Sequence, residues 1–418
     1  MRRVVITGMG AVTPFGVGAD VLWNSVRAGT SGVDKVTRID VSEMPTKVAA
    51  EVRDFDPAQF LDRKEIKRMD RFTQYALVAS MLAFGQSGLK MENEDPTRAG
   101  TIIGSGIGGL ETLEEQHKLM LARGPGRVSP FFIPMMIANM ASGQIAIQFG
   151  FKGFNESINT ACASGTNAIG DALVVIRDGR ADIMLAGGAE AAMTPMAFAG
   201  FCSMKAMTPN PDPNTASRPF DKERDGFVLG EGAGIVILEE YERAKARNAP
   251  IIAEVVGYGC TDDAFHIVAP AEGGEGAARC MKLALGDAGV APEKVGYINA
   301  HGTSTDYNDR YETAAIKNVF GEHAKTLCVS SSKSMTGHLL GATGAVEAII
   351  TCSALAEGFF PPTINYRTPD PECDLDYIPN AGKAVAGVGY AISNTFGFGG
   401  HNATLVFKKM ETVHRPSK

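Results

Sequence analysis

Ser157-Ile158-Asn159-Thr160-Ala161-Cys162-Ala163-Ser164-Gly165-Thr166-Asn167-Ala168-Ile169-Gly170-Asp171-Ala172 is the stretch from which the rest of the chain is read. A short run ends at Thr160-Ala161. The small residues after Cys162 pass into an apolar helical pattern through Leu173, Val174, Val175 and Ile176. Cys162 is therefore expected at a strand-to-helix turn, near the first turn of the helix. Unpaired N–H groups and the positive end of the helix dipole, about half a charge, meet there. Both favour the thiolate, which is the nucleophilic form of cysteine. The small neighbours leave room for a substrate to reach the sulfur. A buried structural cysteine fits the same residues, so this turn alone leaves both readings open.

On either side of the turn the same pattern occurs twice. Ile251-Ile252-Ala253-Glu254-Val255-Val256-Gly257-Tyr258-Gly259 echoes Val4-Val5-Ile6-Thr7-Gly8-Met9-Gly10. Tyr297-Ile298-Asn299-Ala300, ending at His301-Gly302-Thr303, echoes Thr101-Ile102-Ile103, ending at Gly104. Leu327-Cys328-Val329-Ser330 and the small-residue helix start at 341–348 echo the Cys162 element. The run 390–394, the turn Gly397-Phe398-Gly399-Gly400 and the strand 403–407 echo 230–238. Four echoes in one order predict an α/β fold of two duplicated halves. The expected bounds are 1–250 for the half with the cysteine, 251–410 for the second half and 411–418 for a tail. Loops of the two halves would converge on one site.

Bulk properties narrow the function. The chain has 418 residues, 44% of them hydrophobic, enough for a large core. A net charge of −7 supplies no field to draw in nucleic acid. The seven cysteines are odd in number, scattered and never spaced C-x-x-C, which suits a reducing compartment and argues against a disulfide framework or a zinc site. The first residues start directly in a strand-like run. Neither a signal peptide nor an apolar span long enough for a membrane is expected, so the chain is read as cytoplasmic, with no metal and no membrane partner.

Three further segments invite a reading. Gly104-Ser105-Gly106-Ile107-Gly108-Gly109 matches G-x-G-x-x-G between a strand and a helix. No second strand ending in an acidic residue follows at the dinucleotide-binding distance, so a glycine-lined turn beside the active site is the better reading. In the basic segment 63–71, a continuous helix would place Lys64, Lys67, Arg68 and Arg71 on one face. The polar, Pro-rich loop 208–224 is expected to cover something.

The chemistry-bearing residues stand at corresponding loops. Asn299-Ala300-His301-Gly302-Thr303-Ser304-Thr305 puts a histidine at a strand end, with hydroxyls two and four residues on. Ser330-Ser331-Ser332-Lys333-Ser334-Met335-Thr336-Gly337-His338 puts another five residues after a lysine. Two such histidines and a cysteine at a helix start favour catalysis over three structural residues. Ser330-x-x-Lys333 also fits a serine acylase, but the Ser-Asp-Asn and Lys-Thr-Gly that chemistry needs are missing. No His pair at i, i+4 supports zinc-protease chemistry.

Asn159-Thr160-Ala161-Cys162-Ala163-Ser164-Gly165, Ala300-His301-Gly302-Thr303-Ser304-Thr305 and Lys333-Ser334-Met335-Thr336-Gly337-His338 resemble three signature blocks of the β-ketoacyl-acyl-carrier-protein synthases. Arg218-Pro219-Phe220-Asp221 and Phe396-Gly397-Phe398-Gly399-Gly400 match as well. The chain is most similar to the synthase II type of bacterial fatty-acid synthesis, and the resemblance runs from Arg3 to about Phe407. It implies the thiolase-like fold, layered α-β-α-β-α, and a homodimer. It implies an acyltransferase without a cofactor, whose substrates ride on the phosphopantetheine of acyl carrier protein. Cys162 would take the acyl chain. Malonyl-carrier protein would lose carbon dioxide, and its enolate would attack the thioester, adding two carbons. His301 and His338 would donate to the developing charge, and the Cys162 and Phe398 N–H groups would form the oxyanion hole. Lys333 and Glu347 would orient the histidines. Thr303 and Thr305 would hold the pantetheine arm. Ile107, Phe201 and Phe398, with Gly399 at the turn, would line or gate the acyl pocket, and Ile133 would reach the partner subunit's pocket. Lys64, Lys67, Arg68 and Lys205 would dock the acidic carrier protein.

Two positions depart from the family pattern. Asp306 stands where Pro is usual, and Val268 where Thr is usual two residues after His266. Both bear on carrier and chain-length preference. Among relatives of the same fold, a thiolase would have a second cysteine in the His338 slot. A synthase III would have Asn at one histidine slot, and a non-catalytic chain-length partner would lack Cys162. A specialised polyketide or aryl-polyene ketosynthase would carry the same triad and stays open as the alternative.

Overall fold

The computed structural model of the chain describes residues 1–410, and the expected tail, 411–418, lies outside them. Ten strands make the main sheet path: β1 Val4–Thr13, β2 Ala99–Gly104, β3 Asn155–Ile158, β4 Ile183–Glu190, β5 Gly232–Glu240, β6 Ala253–Asp262, β7 Val295–Asn299, β8 Cys328–Ser330, β9 Tyr390–Gly397 and β10 His401–Lys409. They pair in the order β8-β7-β9-β10-β6-β1-β5-β4-β2-β3, with Gly16–Val17 folded back on β1. Each strand of the first half has its counterpart five numbers later. β5 runs antiparallel to β1 and β4, and β2 runs parallel to β4 and β3. β10, β9, β7 and β8 repeat those directions around β6. Among the described residues the halves meet in the sheet at Val5↔Glu254 and Ile6↔Ala253.

Six helices repeat in the same way: α1 Arg71–Ser87, α2 Leu110–Arg123, α3 Ser164–Arg177, α4 Glu275–Ala288, α5 Asp306–Phe320 and α6 Thr343–Glu357. α1 lies on β1 and α4 on β6, while α3 and α6 pack on each other and on strands of both halves. That is the duplicated, layered α/β fold the echoes predict. The Gly-x-Gly echo has a steric cause. A Cβ at Gly8 or Gly10 would stand 2.1 or 2.0 Å from the carbonyls of Ala83 and Ala79 in α1. A Cβ at Gly257 or Gly259 would stand 2.3 or 2.2 Å from those of Ala284 and Cys280 in α4. In each half a helix backbone rests directly on a strand, which only glycine permits.

Two expectations are corrected. The basic segment is not one helix. Asp62 caps a four-residue helix, Arg63–Ile66, and the buried Asp70 caps α1 by accepting the Phe72 N–H. Each Asp starts its own helix, so Lys67 and Arg68 fall in the turn between them. Arg71 leaves the shared face, lies over the Tyr75 ring and donates to the Val52 carbonyl. Second, Leu340–Glu357 is long and apolar enough by composition to cross a membrane, but 89% of it is buried inside the protein. It is the central helix of the second half, apolar because protein surrounds it.

The loop 208–224 does cover something. It leaves the first half and lies on the second. Phe220 stacks on Tyr377 at 3.9 Å, and the Ser217 hydroxyl donates to the Lys333 carbonyl at 2.7 Å. Arg224 is buried, donating to the Thr305 carbonyl and pairing with Asp309 and Asp370.

The halves approach closely around Gly188 of β4. A Cβ there would stand 2.3 Å from the Gly341 carbonyl, 3.0 Å from the Gly165 Cα and 3.1 Å from the Ala342 Cα. All three are backbone atoms and cannot swing aside. Gly188→Ala is expected to lower stability by about 1–3 kcal/mol, the cost of overpacking. An unchanged urea midpoint would contradict this contact.

Candidate active site

Cys162 sits in the tight turn Ala161–Ala163 that joins β3 to α3. Ala161 holds a φ of 50°, a left-handed conformation costly for a residue with a Cβ. The turn is held by the Ala163 N–H donating to the Thr160 carbonyl at 3.0 Å and the Thr160 N–H donating to the Ser164 hydroxyl at 2.9 Å. It lifts the sulfur to the wall of a cavity of about 640 Å³. His301, His338, Ile107, Phe201, Thr303, Thr305, Lys205 and Phe398 line that cavity too. Nucleophile and imidazoles come from different halves.

His338 Nε2 stands 3.0 Å from Cys162 Sγ, and its Nδ1 stands 3.0 Å from the Thr343 hydroxyl. The His301 ring lies 5.4 Å from the His338 ring, nearly perpendicular. Burial and the positive charge of Lys333 hold both imidazoles well below the usual histidine range, so both are neutral. The buried His301 Nδ1 has no partner. An unmet lone pair costs less than an unmet N–H. That leaves the proton on Nε2, where His301 donates into the cavity. The Thr343 hydroxyl can accept from or donate to His338 Nδ1, so it supports either tautomer.

The sulfur corrects the expectation of a resting thiolate. Burial pushes the Cys162 thiol up to about 12, against the pull of Lys333 and of the Phe398 and Cys162 N–H groups. Desolvation of the charged form outweighs the helix terminus. The resting group is a thiol whose proton faces His338. Behind the imidazoles the Lys333 ammonium donates to Glu347 Oε1 at 2.6 Å, both side chains only 1% exposed. Burial pushes the Glu347 carboxyl up to about 7 against the pull of Lys333.

The glycine-rich turn is not open to a phosphate. The Gly106 and Ile107 N–H groups donate to Glu190 at 2.8 and 3.1 Å, and the Ser105 hydroxyl donates to it at 3.0 Å. An internal carboxylate occupies the donors that a dinucleotide would need.

Two family models cover the chain: the N-terminal domain of β-ketoacyl synthase over residues 1–244 and the C-terminal domain over residues 252–367. The chain belongs to the β-ketoacyl synthase family. It is 54% identical to 3-oxoacyl-[acyl-carrier-protein] synthase 2 of Synechocystis sp., over 98% of this chain and 99% of that one. Against the enzyme of the same name from Staphylococcus aureus it is 53% identical, with the same coverage. Among solved structures, a type II polyketide ketosynthase in complex with its acyl-carrier protein superposes with a TM-score of 0.91 at 37% identity, over 98% of this chain and all of that one.

In this synthase the Phe398 and Cys162 N–H groups lie near enough to the Cys162 sulfur to pull its thiol down. Gly397 allows this approach, since a Cβ there would stand 2.8 Å from the Thr160 carbonyl. Gly399, with a φ of 83°, is exposed and donates to the Ile267 carbonyl at 2.9 Å. The Thr303 and Thr305 hydroxyls lie 2.8 Å apart at the wall. Asp306 and Val268 also line the cavity. Lys333 and Glu347 are packed behind it. Lys64, Lys67 and Arg68 are exposed on the segment outside it, with Arg68 4.8 Å over the Phe131 ring. Ile133 is exposed on the short helix Phe132–Met136.

Sequence reading missed two carboxylates and a hydroxyl. Glu312 of α5 accepts the His301 and Gly302 N–H groups at 2.9 and 2.8 Å and fixes the histidine loop. Burial pushes it up to about 7. Glu190 ends β4, and Thr343 starts α6. An acidic residue ending a run as apolar as Ile183-Met184-Leu185-Ala186 was the available signal for Glu190.

With the thiol near 12, alkylation of Cys162 by iodoacetamide is expected to rise about tenfold per pH unit between about pH 6.5 and about pH 9. Cys162→Ala serves as the blank for other cysteines. A plateau in neutral solution would show that the thiolate is already formed.

Proposed function

We propose that this chain is a β-ketoacyl-acyl-carrier-protein synthase that elongates fatty acids by two carbons per condensation. One observation carries the reading: a thiol 3.0 Å from one neutral imidazole, with a second alongside, at the junction of the two halves. As sulfur attacks the acyl carbonyl, the thiol proton passes to His338 Nε2. The N–H groups of Cys162 and Phe398 receive the oxyanion. Collapse expels the carrier thiolate, which takes the proton from Nε2 and leaves the acyl chain on Cys162.

Malonyl-carrier protein then enters the emptied mouth, its arm held by Thr303 and Thr305. The bond to its carboxylate breaks, carbon dioxide leaves, and the electron pair moves onto the thioester oxygen as an enolate. His301 donates to that oxygen from Nε2, and His338 donates as well once exchange with solvent has moved its proton from Nδ1 to Nε2, the tautomer in which Nδ1 accepts from the Thr343 hydroxyl. The α-carbon attacks the Cys162 thioester, the carbon–sulfur bond breaks, and the cysteine thiolate regains a proton from solvent. The Lys333–Glu347 pair keeps a positive charge near both imidazoles and so holds them neutral. No cofactor takes part in these steps.

The carrier protein would dock on Lys64, Lys67, Arg68 and Lys205. Lys205 supports this from the cavity lining and the other three from their exposure. We read the protein as a homodimer. β3 ends the strand order and exposed Leu121, Ile133, Ile147 and Met196 belong to the same half. The divisions 1–250 and 251–410 then separate the half with the nucleophile from the half with both imidazoles. A cytoplasmic location goes with this reading, from the scattered cysteines. A polyketide ketosynthase would use the same residues, but identity is higher to the fatty-acid type, 54% against 37%.

Products made from defined acyl- and malonyl-carrier proteins, read by mass spectrometry, test the assignment. Cys162→Ala is expected to make none, and a normal yield would end it. His301→Ala and His338→Ala are expected to lose about 2.7–4 kcal/mol of transition-state stabilisation in malonyl decarboxylation, the usual cost of one donor to developing charge. Normal decarboxylation in either variant would reassign that histidine. Charge reversal at Lys64, Lys67 and Arg68 is expected to raise KM for carrier-bound substrates and flatten its salt dependence, while activity on small pantetheine thioesters survives. Equal loss on both substrates would make the patch structural.

A further inference from the structure

The second half keeps the architecture of the nucleophile turn without a nucleophile. Leu340 holds a φ of 48° where Ala161 holds 50°. The turn Leu340–Ala342 leads into α6 as Ala161–Ala163 leads into α3, so Gly341 stands where Cys162 stands. In the first half the Cys162 N–H faces the sulfur and the cavity. In the second half the Gly341 N–H has an acceptor supplied by the chain, Glu190 Oε2 at 3.0 Å. Glu190 ends β4 as Gly397 ends β9. The position that must be glycine beside Cys162 is, in the other half, the source of a carboxylate that fills the matching hole.

Both carboxylate oxygens are fully engaged. Oε2 also accepts from the Gly106 N–H at 2.8 Å, and Oε1 accepts from the Ile107 N–H at 3.1 Å and the Ser105 hydroxyl at 3.0 Å. Three N–H groups and one hydroxyl face the group, and the three N–H groups favour its ionised form. Burial pushes the Glu190 carboxyl up, against the pull of the Gly341, Gly106 and Ile107 N–H groups and the Ser105 hydroxyl. It ties together two turns from different halves. Ile107 lines the cavity on one side of Cys162, and Leu340, bonded to Gly341, lines it on another.

We propose that Glu190 is a positioning residue for the acyl chain: by clamping the Ile107 turn to the Leu340-Gly341 turn it sets the width of the cavity beside Cys162. This rests on the reading of Cys162 as the acylated group. An acetyl group occupies only the surroundings of the sulfur. A long chain must lie along the walls, and it is the long chain that a loosened wall mis-seats. The Glu190 charge also helps to hold the Cys162 thiol up, so removing that charge makes the sulfur more reactive; a loosened fold would do the same by exposing the sulfur, and an unchanged urea midpoint in the variant excludes it.

Glu190→Gln puts an amide NH₂ against the N–H groups, and Ser105→Ala removes one donor to Oε1, along with an acceptor for the Gly108 N–H. Acylation of Cys162 by acetyl- and dodecanoyl-carrier protein is followed by intact mass, with iodoacetamide alkylation in parallel. In Glu190→Gln the dodecanoyl rate is expected to fall about tenfold or more, and the acetyl rate to change less than about threefold, as misplacement of a positioned group does. Alkylation of Cys162 is expected to quicken. Ser105→Ala is expected to shift the same ratio in the same direction by a smaller factor, and it decides alone if Glu190→Gln does not fold. Equal slowing of both donors, or no slowing of either, overturns the clamp. Wild-type protein that accepts neither acyl group overturns the reading of Cys162 as well, and is told apart because the loss is then in the wild type.

Discussion

Two three-residue turns, Ala161–Ala163 and Leu340–Ala342, approach each other with no side chain between them, and the site depends on that approach. Gly165 and Gly344 open the two helices that leave these turns. A Cβ on Gly165 would stand 2.8 Å from the Gly341 carbonyl, and one on Gly344 only 1.9 Å from the Thr166 hydroxyl. Because the backbones touch, His338, two residues before Leu340, reaches the sulfur of Cys162. Cores of this density transmit small volume changes directly, so the spacing of nucleophile and imidazole is set by the packing of the two halves.

Duplication explains the scaffold, and departures from it explain the chemistry. The strand order, the Gly-x-Gly contacts and the left-handed turn residue occur in both halves. Where the copies differ, each difference has a use. Cysteine in one turn answers glycine in the other, and Glu190 answers Gly397. The first half's Gly104 strand end meets a glycine turn, while the second half's corresponding strand end carries His301.

Burial dominates the electrostatics. It raises the thiol, lowers both imidazoles, and raises Glu312 and Glu347, all in the direction that disfavours charge. Lys333, paired with Glu347, acts on the thiol and the imidazoles alike, favouring ionisation of the sulfur and neutrality of the rings. A thiol, two neutral rings and converging N–H groups suit a reaction in which negative charge appears only as bonds change.

The sequence by itself determined the duplicated α/β scheme, because periodicity, glycine pairs and strand ends are local and repeat visibly. It also marked Cys162, His301 and His338 as candidates, because their blocks are local as well, and it offered Lys333 and Glu347 through the resemblance to the family. It could not determine that the basic segment breaks at Asp70, since caps compete only once the chain is packed. It misjudged the protonation of Cys162, because the helix terminus is a local property and desolvation is not. It could not give the partners of Glu190 and Glu312, which lie on other elements: an acidic residue after an apolar run can mark itself but not the N–H groups it will meet. Only the tertiary structure decided those, because the backbone donors of one segment and the carboxylate of another are matched by packing alone.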